Sequence, residues 1–203
     1  MGIFQHREQL YFYLYHFLFD QVKVAAKEFV LKTGEKVLIR EGKVADSEAL
    51  METVREYVVT SRYLIVAPDE LENTVADEEK WIRELRQNPN SLLLLALHKG
   101  QVIGNLDLTG SGEEYEDQSG LITMGILQEY QNKGLGSILL REALAWARQN
   151  HQLQVLCLQV KRANKSAVRL YQKAGFKVEG KQPDLAPEEQ VDYSESIIMT
   201  LNL

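Results

Sequence analysis

The sequence predicts an α/β domain whose sheet is mostly antiparallel, with one parallel crossover near its centre. Three observations predict it. Apolar runs flank Thr33-Gly34-Glu35 and Lys99-Gly100-Gln101, so two hairpins are expected. Residues 91–98 are almost wholly aliphatic, as a strand buried on both faces must be. From residue 121 onward the pattern changes to strand, helix, strand, helix, strand, and a helical crossover is what joins parallel neighbours.

Taken in order, the elements justify themselves locally. Residues 7–26 are expected to form a helix, because 10–19 read LYFYLYHFLF and seven large apolar side chains there cannot all face water. That stripe is expected to be buried against the sheet or against a second chain, and all-round apolarity, which predicts contact on two faces, favours a homodimer or a swapped arm. Phe29-Val30-Leu31 and Val37-Leu38-Ile39 form the first hairpin. Ala45-Asp46-Ser47-Glu48 opens a helix with Asp46 as N-cap, and Leu50, Val54 and Tyr57 recur at helical spacing. Residues 74–87 form another helix, carrying Val75, Trp81, Ile82 and Leu85, and Asn88-Pro89-Asn90 ends it. The second hairpin returns through 102–108. Residues 110–120 (GSGEEYEDQSG) are polar and loop-like. A strand over 121–127, a glycine-bearing turn over 128–136 and a helix over 137–150 follow. A strand over 155–160, a helix over 164–174 ended by Gly175, and strands over 176–178 and 196–203 complete the chain. The organisation expected is an aromatic-rich helical extension, 1–27, on one domain, 28–203.

Composition excludes several classes. At 203 residues, 45% hydrophobic and 26% charged, the chain can bury a core without staples. Its 23 Lys and Arg against 29 Asp and Glu give −6, a poor balance for coating nucleic acid or an anionic membrane. The apolar stretch at 10–19 is far short of the ~20 residues a membrane helix needs. Cys157 is the only cysteine, so no intrachain disulfide or multi-cysteine zinc site can form, and a reducing compartment, the cytoplasm, is expected. Flanked by Val155, Leu156 and Leu158, it reads as a buried, inert thiol. His6, His16, His98 and His151 show no metal-ligand spacing, and no metal is expected.

The chemistry concentrates at Gln128-Glu129-Tyr130-Gln131-Asn132-Lys133-Gly134-Leu135-Gly136-Ser137, between a strand and a helix. Glycines let the backbone turn sharply and approach a ligand. The helix start beyond them presents unpaired N–H groups and the positive end of the helix dipole, a ready site for phosphate or pyrophosphate. Lys133 adds charge. A P-loop would place Lys and Ser or Thr after its last glycine, but Gly136 is followed by Ser137-Ile138. A dinucleotide fingerprint needs a third glycine and a distant acid. A strand–helix connection with no ligand stays open from this turn alone.

Two motifs together carry a resemblance. Gln131-x-x-Gly134-x-Gly136 after an apolar strand resembles the acetyl-CoA signature of the GNAT superfamily of N-acetyltransferases. Asn164-Lys165-Ser166-Ala167-Val168-Arg169-Leu170-Tyr171, running on to Gly175-Phe176, resembles the family's downstream stretch, one helix and one strand later. The resemblance covers about residues 29–203. It implies the GNAT, or acyl-CoA N-acyltransferase, fold, with a central parallel pair flanked by helices, and acetyl-CoA as co-substrate.

Residue by residue, the resemblance implies that Met124, Ile126 and Leu127 pair their backbone with the pantetheine arm. The N–H near Ile126 would hold the thioester oxygen as it becomes an oxyanion. The N–H groups of Gln131, Asn132, Lys133, Gly134, Leu135, Gly136 and Ser137 would hold the pyrophosphate. Asn164 would bond the arm, cap its helix, or both. Tyr171 would protonate the leaving thiolate, the alternative being a packing aromatic with its hydroxyl at the surface. The chain departs from the family in having Gln131 where arginine is commoner and Gln128 where proline is frequent. Relatives often carry a His or Glu base at the head of the central strand. Glu113, Glu114, Glu116 and Asp117 are the candidates here, against a merely solvated acidic loop. The expected partner is a small-molecule or peptide amine, with neither nucleic acid nor membrane. A catalytically silent acetyl-CoA sensor, or an interaction module, is the rival reading.

Overall fold

The computed structural model describes residues 23–61, 63, 73–110, 118–182 and 195–203. Among these described residues the chain builds eight strands: β1 (Lys27–Val30), β2 (Lys36–Glu41), β3 (Leu92–His98), β4 (Gln101–Gly110), β5 (Ser119–Ile126), β6 (Val155–Lys161), β7 (Lys177–Gln182) and β8 (Ser196–Asn202). The described residues also form four α-helices: α1 (Ser47–Thr60), α2 (Val75–Gln87), α3 (Leu135–Ala147) and α4 (Lys165–Lys173). One sheet runs β1-β2-β3-β4-β5-β6-β8-β7, antiparallel at every neighbour except the parallel pair β5–β6. The predicted sheet and its central crossover are therefore present.

Both hairpins form where the turn residues put them. Gly34 (φ 95°) and the pair Lys99 (φ 51°) and Gly100 (φ 85°) supply the left-handed backbone these short reversals require. β3 is buried on both faces from Leu92 to Leu97. One core lies under α3 and holds Leu106, Leu108, Leu127, Leu135, Leu139, Leu158 and Tyr171. The other lies under α1 and α2 and joins Leu50, Ile82 and Leu85 to Leu93, Leu95 and Val102.

Several boundaries differ from the expectation. Asp46 stands at the N-cap of α1 but caps nothing there. Its carboxylate accepts from the Arg40 guanidinium at 2.6 and 2.7 Å and from the Lys43 N–H at 2.8 Å. A charge-assisted fork outcompetes a single capping bond. Thr74 does cap α2, in a reciprocal pair with Asp77. Helix α3 starts at Leu135, two residues early, so Leu135 and Gly136 are helical. Strand β7 is longer than expected, extended by its ladder with β8. Cys157 is half-buried rather than buried.

The helix expected over 7–26 lies outside the described residues except for its last four, and those are not helical. Lys23 explains why. Its N–H donates to Glu41 Oε2 at 2.8 Å, and its ammonium donates to the carbonyls of Leu85, Asn88 and Ser91 at 2.9, 2.7 and 2.7 Å. These tertiary bonds use groups that a helix would direct elsewhere. They also tie the chain before residue 28 to the domain, as does the Lys27–Glu142 pair at 2.8 Å. The acidic residues 113, 114, 116 and 117 lie outside the described residues. No described helix is long and apolar enough to cross a membrane.

Candidate active site

The parallel pair at the centre does not stay paired. β5 meets β6 at Ser119↔Val155, Gly120↔Leu156 and Leu121↔Cys157 only, so residues 122–126 leave β6. On its opposite edge β6 pairs with β8 along its whole length. On its other side β5 stays registered with β4 through Gly104↔Ile126. Antiparallel strands turn alternate residues toward the same neighbour. Leu127 donates to Ile103 O at 3.0 Å, so alternation directs the backbone groups of Met124 and Ile126 into the gap facing β6. Leu127, its N–H spent on Ile103, offers the gap only a buried side chain.

The turn after β5 is a one-turn 3-10 helix, Gln128–Tyr130, and then the glycines. Asn132 (φ 60°) and Gly134 (φ 96°) take left-handed backbone, and Gly134 is the N-cap of α3. The first bond of that helix is Ile138 N–H to Gly134 O at 3.2 Å. The N–H groups of Leu135, Gly136 and Ser137 precede it, have no acceptor within the helix, and point out of its positive end. Ser137 is exposed there, whereas the Leu135 side chain belongs to the core.

Two expected contacts and one expected clearance are placed differently. Gln131 spends its N–H on Gln128 O at 3.2 Å and one side-chain amide hydrogen on Ile126 O at 2.9 Å, and both bonds shape the turn. Lys133 turns toward the first hairpin, with its ammonium 2.6 Å from Glu35 Oε1 and 5.3 Å from the Tyr130 ring centroid. The Lys133 and Thr33 hydrogen bonds hold the Glu35 carboxyl down at about 2. A Cβ on Gly136 would lie 3.2 Å from Leu170 Cδ2 and 3.4 Å from Ile126 Cδ1. This glycine therefore fits α3 against α4 and β5 rather than clearing space outside.

The same hairpin supplies a residue the sequence reading passed over. Lys32 donates its N–H to Lys133 O at 3.1 Å, and its aliphatic stem lies within 3.6 Å of where a Gly134 Cβ would be. Its ammonium has no ion pair among the described residues.

Helix α4 completes this side of the sheet. Asn164 caps it, accepting from Ala167 N–H at 3.1 Å, and Ser166 Oγ donates to Asn132 Oδ1 at 3.1 Å. Tyr171, next to Leu170, is only 6% exposed and meets the Phe176 ring edge-on at 5.8 Å. Its hydroxyl has no hydrogen-bond partner among the described residues, and burial pushes it up to about 12. A buried, unpaired hydroxyl costs stability, so its place asks for a ligand acceptor.

Met124 and Ile126 put their side chains toward α3, within reach of Gly136. By alternation Leu121, Thr123 and Gly125 face the other side, under α1 and α2. There Tyr57 lies against Gly125, where a Cβ would come 2.2 Å from its ring. The gap thus has two flanks, one of helix ends and one of polar strand residues.

A family model described as acetyltransferase (GNAT) family matches residues 51–176. No curated protein matches the chain in sequence. Among solved structures, a GNAT-family acetyltransferase from Streptococcus pneumoniae is 29% identical with a TM-score of 0.76, over 82% of this chain and 99% of that one. A ribosomal-protein-alanine N-acetyltransferase from Brucella melitensis is 21% identical with a TM-score of 0.69, over 81% and 99%. A phosphinothricin acetyltransferase from Sinorhizobium meliloti, solved in complex with acetyl-CoA, is 18% identical with a TM-score of 0.70, over 82% and 88%.

Proposed function

The chain belongs to the GNAT acetyltransferase family, and from that premise we propose that it moves the acetyl group of acetyl-CoA to a primary amine by direct attack. The observation that carries this reading is the divergence of β5 from β6 beside a helix start with open N–H groups and a buried tyrosine hydroxyl with no partner among the described residues. The residues fit the co-substrate. The backbone of Met124 and Ile126 takes the pantetheine arm as an added strand edge would. The N–H groups of Leu135, Gly136 and Ser137 meet the pyrophosphate, with Lys32 as the nearby cation. Asn132 and Asn164 flank the arm. Bound acetyl-CoA supplies the thioester.

Each residue then has a task in acyl transfer. The Ile126 N–H stabilises the oxyanion that forms when the amine attacks. Tyr171 stays protonated at every working pH because burial holds its hydroxyl near 12. It therefore serves as a donor to the departing sulfur. A thiolate is a fair leaving group, so a hydrogen bond suffices and complete proton transfer is not required.

The test is calorimetry with acetyl-CoA, followed by thiol release with a panel of amines. Binding with thiol release is expected. Binding without release on any amine would favour a sensor, and no binding at millimolar acetyl-CoA would remove the reading.

A further inference from the structure

The second flank of the gap holds a carboxyl group that this mechanism has not used. Asp107, on β4, is 7% exposed. Its Oδ1 accepts from Thr123 Oγ1 at 2.5 Å and from Asn105 Nδ2 at 3.4 Å, and Asn105 Oδ1 accepts from Tyr57 OH at 3.0 Å. Thr123 sits opposite Asp107 in the β4–β5 register. Unlike the rest of this network it is exposed, beside Leu121, which is 50% exposed, and Thr109.

Around Asp107, α1 contributes Tyr57, β5 contributes Thr123, and β3 contributes Leu93 by register. α2 contributes Glu78, whose carboxyl is raised by burial and then by Asp107 itself. No lysine or arginine among the described residues pairs with Asp107. A buried carboxylate with a second carboxylate as its charged neighbour is costly. Such groups persist where a positive or proton-bearing ligand completes them.

We propose that Asp107, acting through the exposed Thr123 hydroxyl, takes the proton that the acceptor ammonium must lose before its nitrogen can attack. The inference rests on the acetyltransferase reading above. Thr123 lies on β5 one residue before Met124 and three before Ile126, on the divergent segment itself. About 10 Å of strand separates it from the Ile126 N–H, a span the acceptor and one water cover. The ammonium first gives one proton through the water to Thr123 Oγ1 while the Thr123 proton passes to Asp107 Oδ1, which frees the nitrogen lone pair. As that lone pair forms the bond to the thioester carbon, the C–S electron pair goes to the sulfur. The second N–H proton goes to the departing sulfur, which leaves as the thiol, so charge and protons balance. The carboxylate pair also selects a cationic amine over a neutral nucleophile, because the Coulomb attraction to it is little screened where Asp107 is buried.

The experiment compares the full chain with its Asp107→Asn, Thr123→Val and Thr123→Ser variants. Thiol release is followed with spermidine, an alanyl peptide and phosphinothricin from about pH 5 to pH 9, beside acetyl-CoA affinity and the carbon-13 titration of the Asp107 carboxyl. In the wild-type chain kcat/KM should rise through a limb that matches the carboxyl titration. Asp107→Asn and Thr123→Val should lower kcat by about 10²–10³-fold, abolish that limb and leave acetyl-CoA affinity unchanged, while Thr123→Ser keeps both activity and limb. An Asp107→Asn chain that retains turnover and limb overturns the relay and leaves the acetyltransferase reading standing. A wild-type chain that binds acetyl-CoA yet releases thiol with no amine removes the transferase reading, and the relay with it.

Discussion

The Gln131 side-chain amide donates to Ile126 O at 2.9 Å, and the same peptide unit donates through Leu127 N–H to Ile103 O at 3.0 Å. That peptide is pinned from both sides at the far end of the segment that diverges from β6. With its carbonyl held, the strand keeps the orientation that presents the Ile126 N–H to the gap. Gln131→Met keeps the bulk and removes the bond. It should raise the KM for acetyl-CoA and lower kcat together, with kcat/KM falling by about 5–13-fold in all, since one hydrogen bond is worth ~1–1.5 kcal/mol. Steady-state kinetics with unchanged thermal stability would confirm a positioning role. A change in KM alone would place Gln131 in ground-state binding.

Tyr171→Phe removes a hydroxyl that has no described protein partner. The folded chain should be no less stable, and slightly more so, because an unsatisfied buried group is gone. Turnover should fall by about 10²-fold, at the low end for loss of an acid, while acetyl-CoA affinity holds. Thermal unfolding and single-turnover thiol release read the two effects separately. Loss of stability with full turnover would make Tyr171 a packing residue.

Lys32 and Lys133 make opposite predictions despite flanking the same turn. Lys133 is already neutralised by Glu35 at 2.6 Å, whereas Lys32 runs beside Gly134 with no ion pair among the described residues. Lys32→Met should weaken acetyl-CoA binding by about 3–10-fold, with a reduced salt dependence, as one lost phosphate contact predicts. Lys133→Met should change affinity by less than about 2-fold. Calorimetry at two ionic strengths checks both, and the reverse ranking would refute the placement.

Much of this site was legible because its backbone is local. Gly134 and Gly136 announced a strand-to-helix turn, Asn164 announced a cap, and the Leu170-Tyr171 helix followed at its proper spacing. What was not legible depends on register and on contacts far apart in sequence. Glu35 meets Lys133 across 98 positions, and Thr123 meets Asp107 across 16 through a strand pairing that no local pattern fixes. Gln131 read as a ligand contact because the residue type fits either role. Only the path of the turn shows that its amide folds back onto Ile126. The expected Asp46 cap failed similarly, since Arg40 lies beyond the reach of helix rules.

Lys23 gives a stability prediction. Its ammonium satisfies three carbonyls at the C-terminal end of α2 and the turn into β3. Lys23→Met leaves Leu85, Asn88 and Ser91 without that donor and should cost about 2–3 kcal/mol. Urea unfolding of the full chain measures it. An unchanged midpoint would mean that water replaces the ammonium at no cost.

Asp107 makes the last prediction, on stability against pH. Burial lifts its carboxyl to about 6, against the opposing hydrogen bonds from Thr123, its own backbone and Asn105. An unfolded aspartate titrates near 3.9. Between these values the folded chain holds the Asp107 proton and the unfolded chain does not. Unfolding free energy must therefore fall as pH rises through that window, by the difference in bound protons. Below it Asp107 is neutral in both states and costs nothing. Above it the buried charge costs on the order of 2–3 kcal/mol, from about two pKa units at 1.36 kcal/mol each. Asp107→Asn keeps an oxygen for Thr123 and Asn105 but carries no charge. It should match the wild type at low pH and exceed its stability by about 2 kcal/mol at neutral pH, while losing activity. Urea unfolding of both chains at pH ~4 and ~7.5 tests this. A variant less stable at both values would show that the carboxyl holds the fold together rather than straining it.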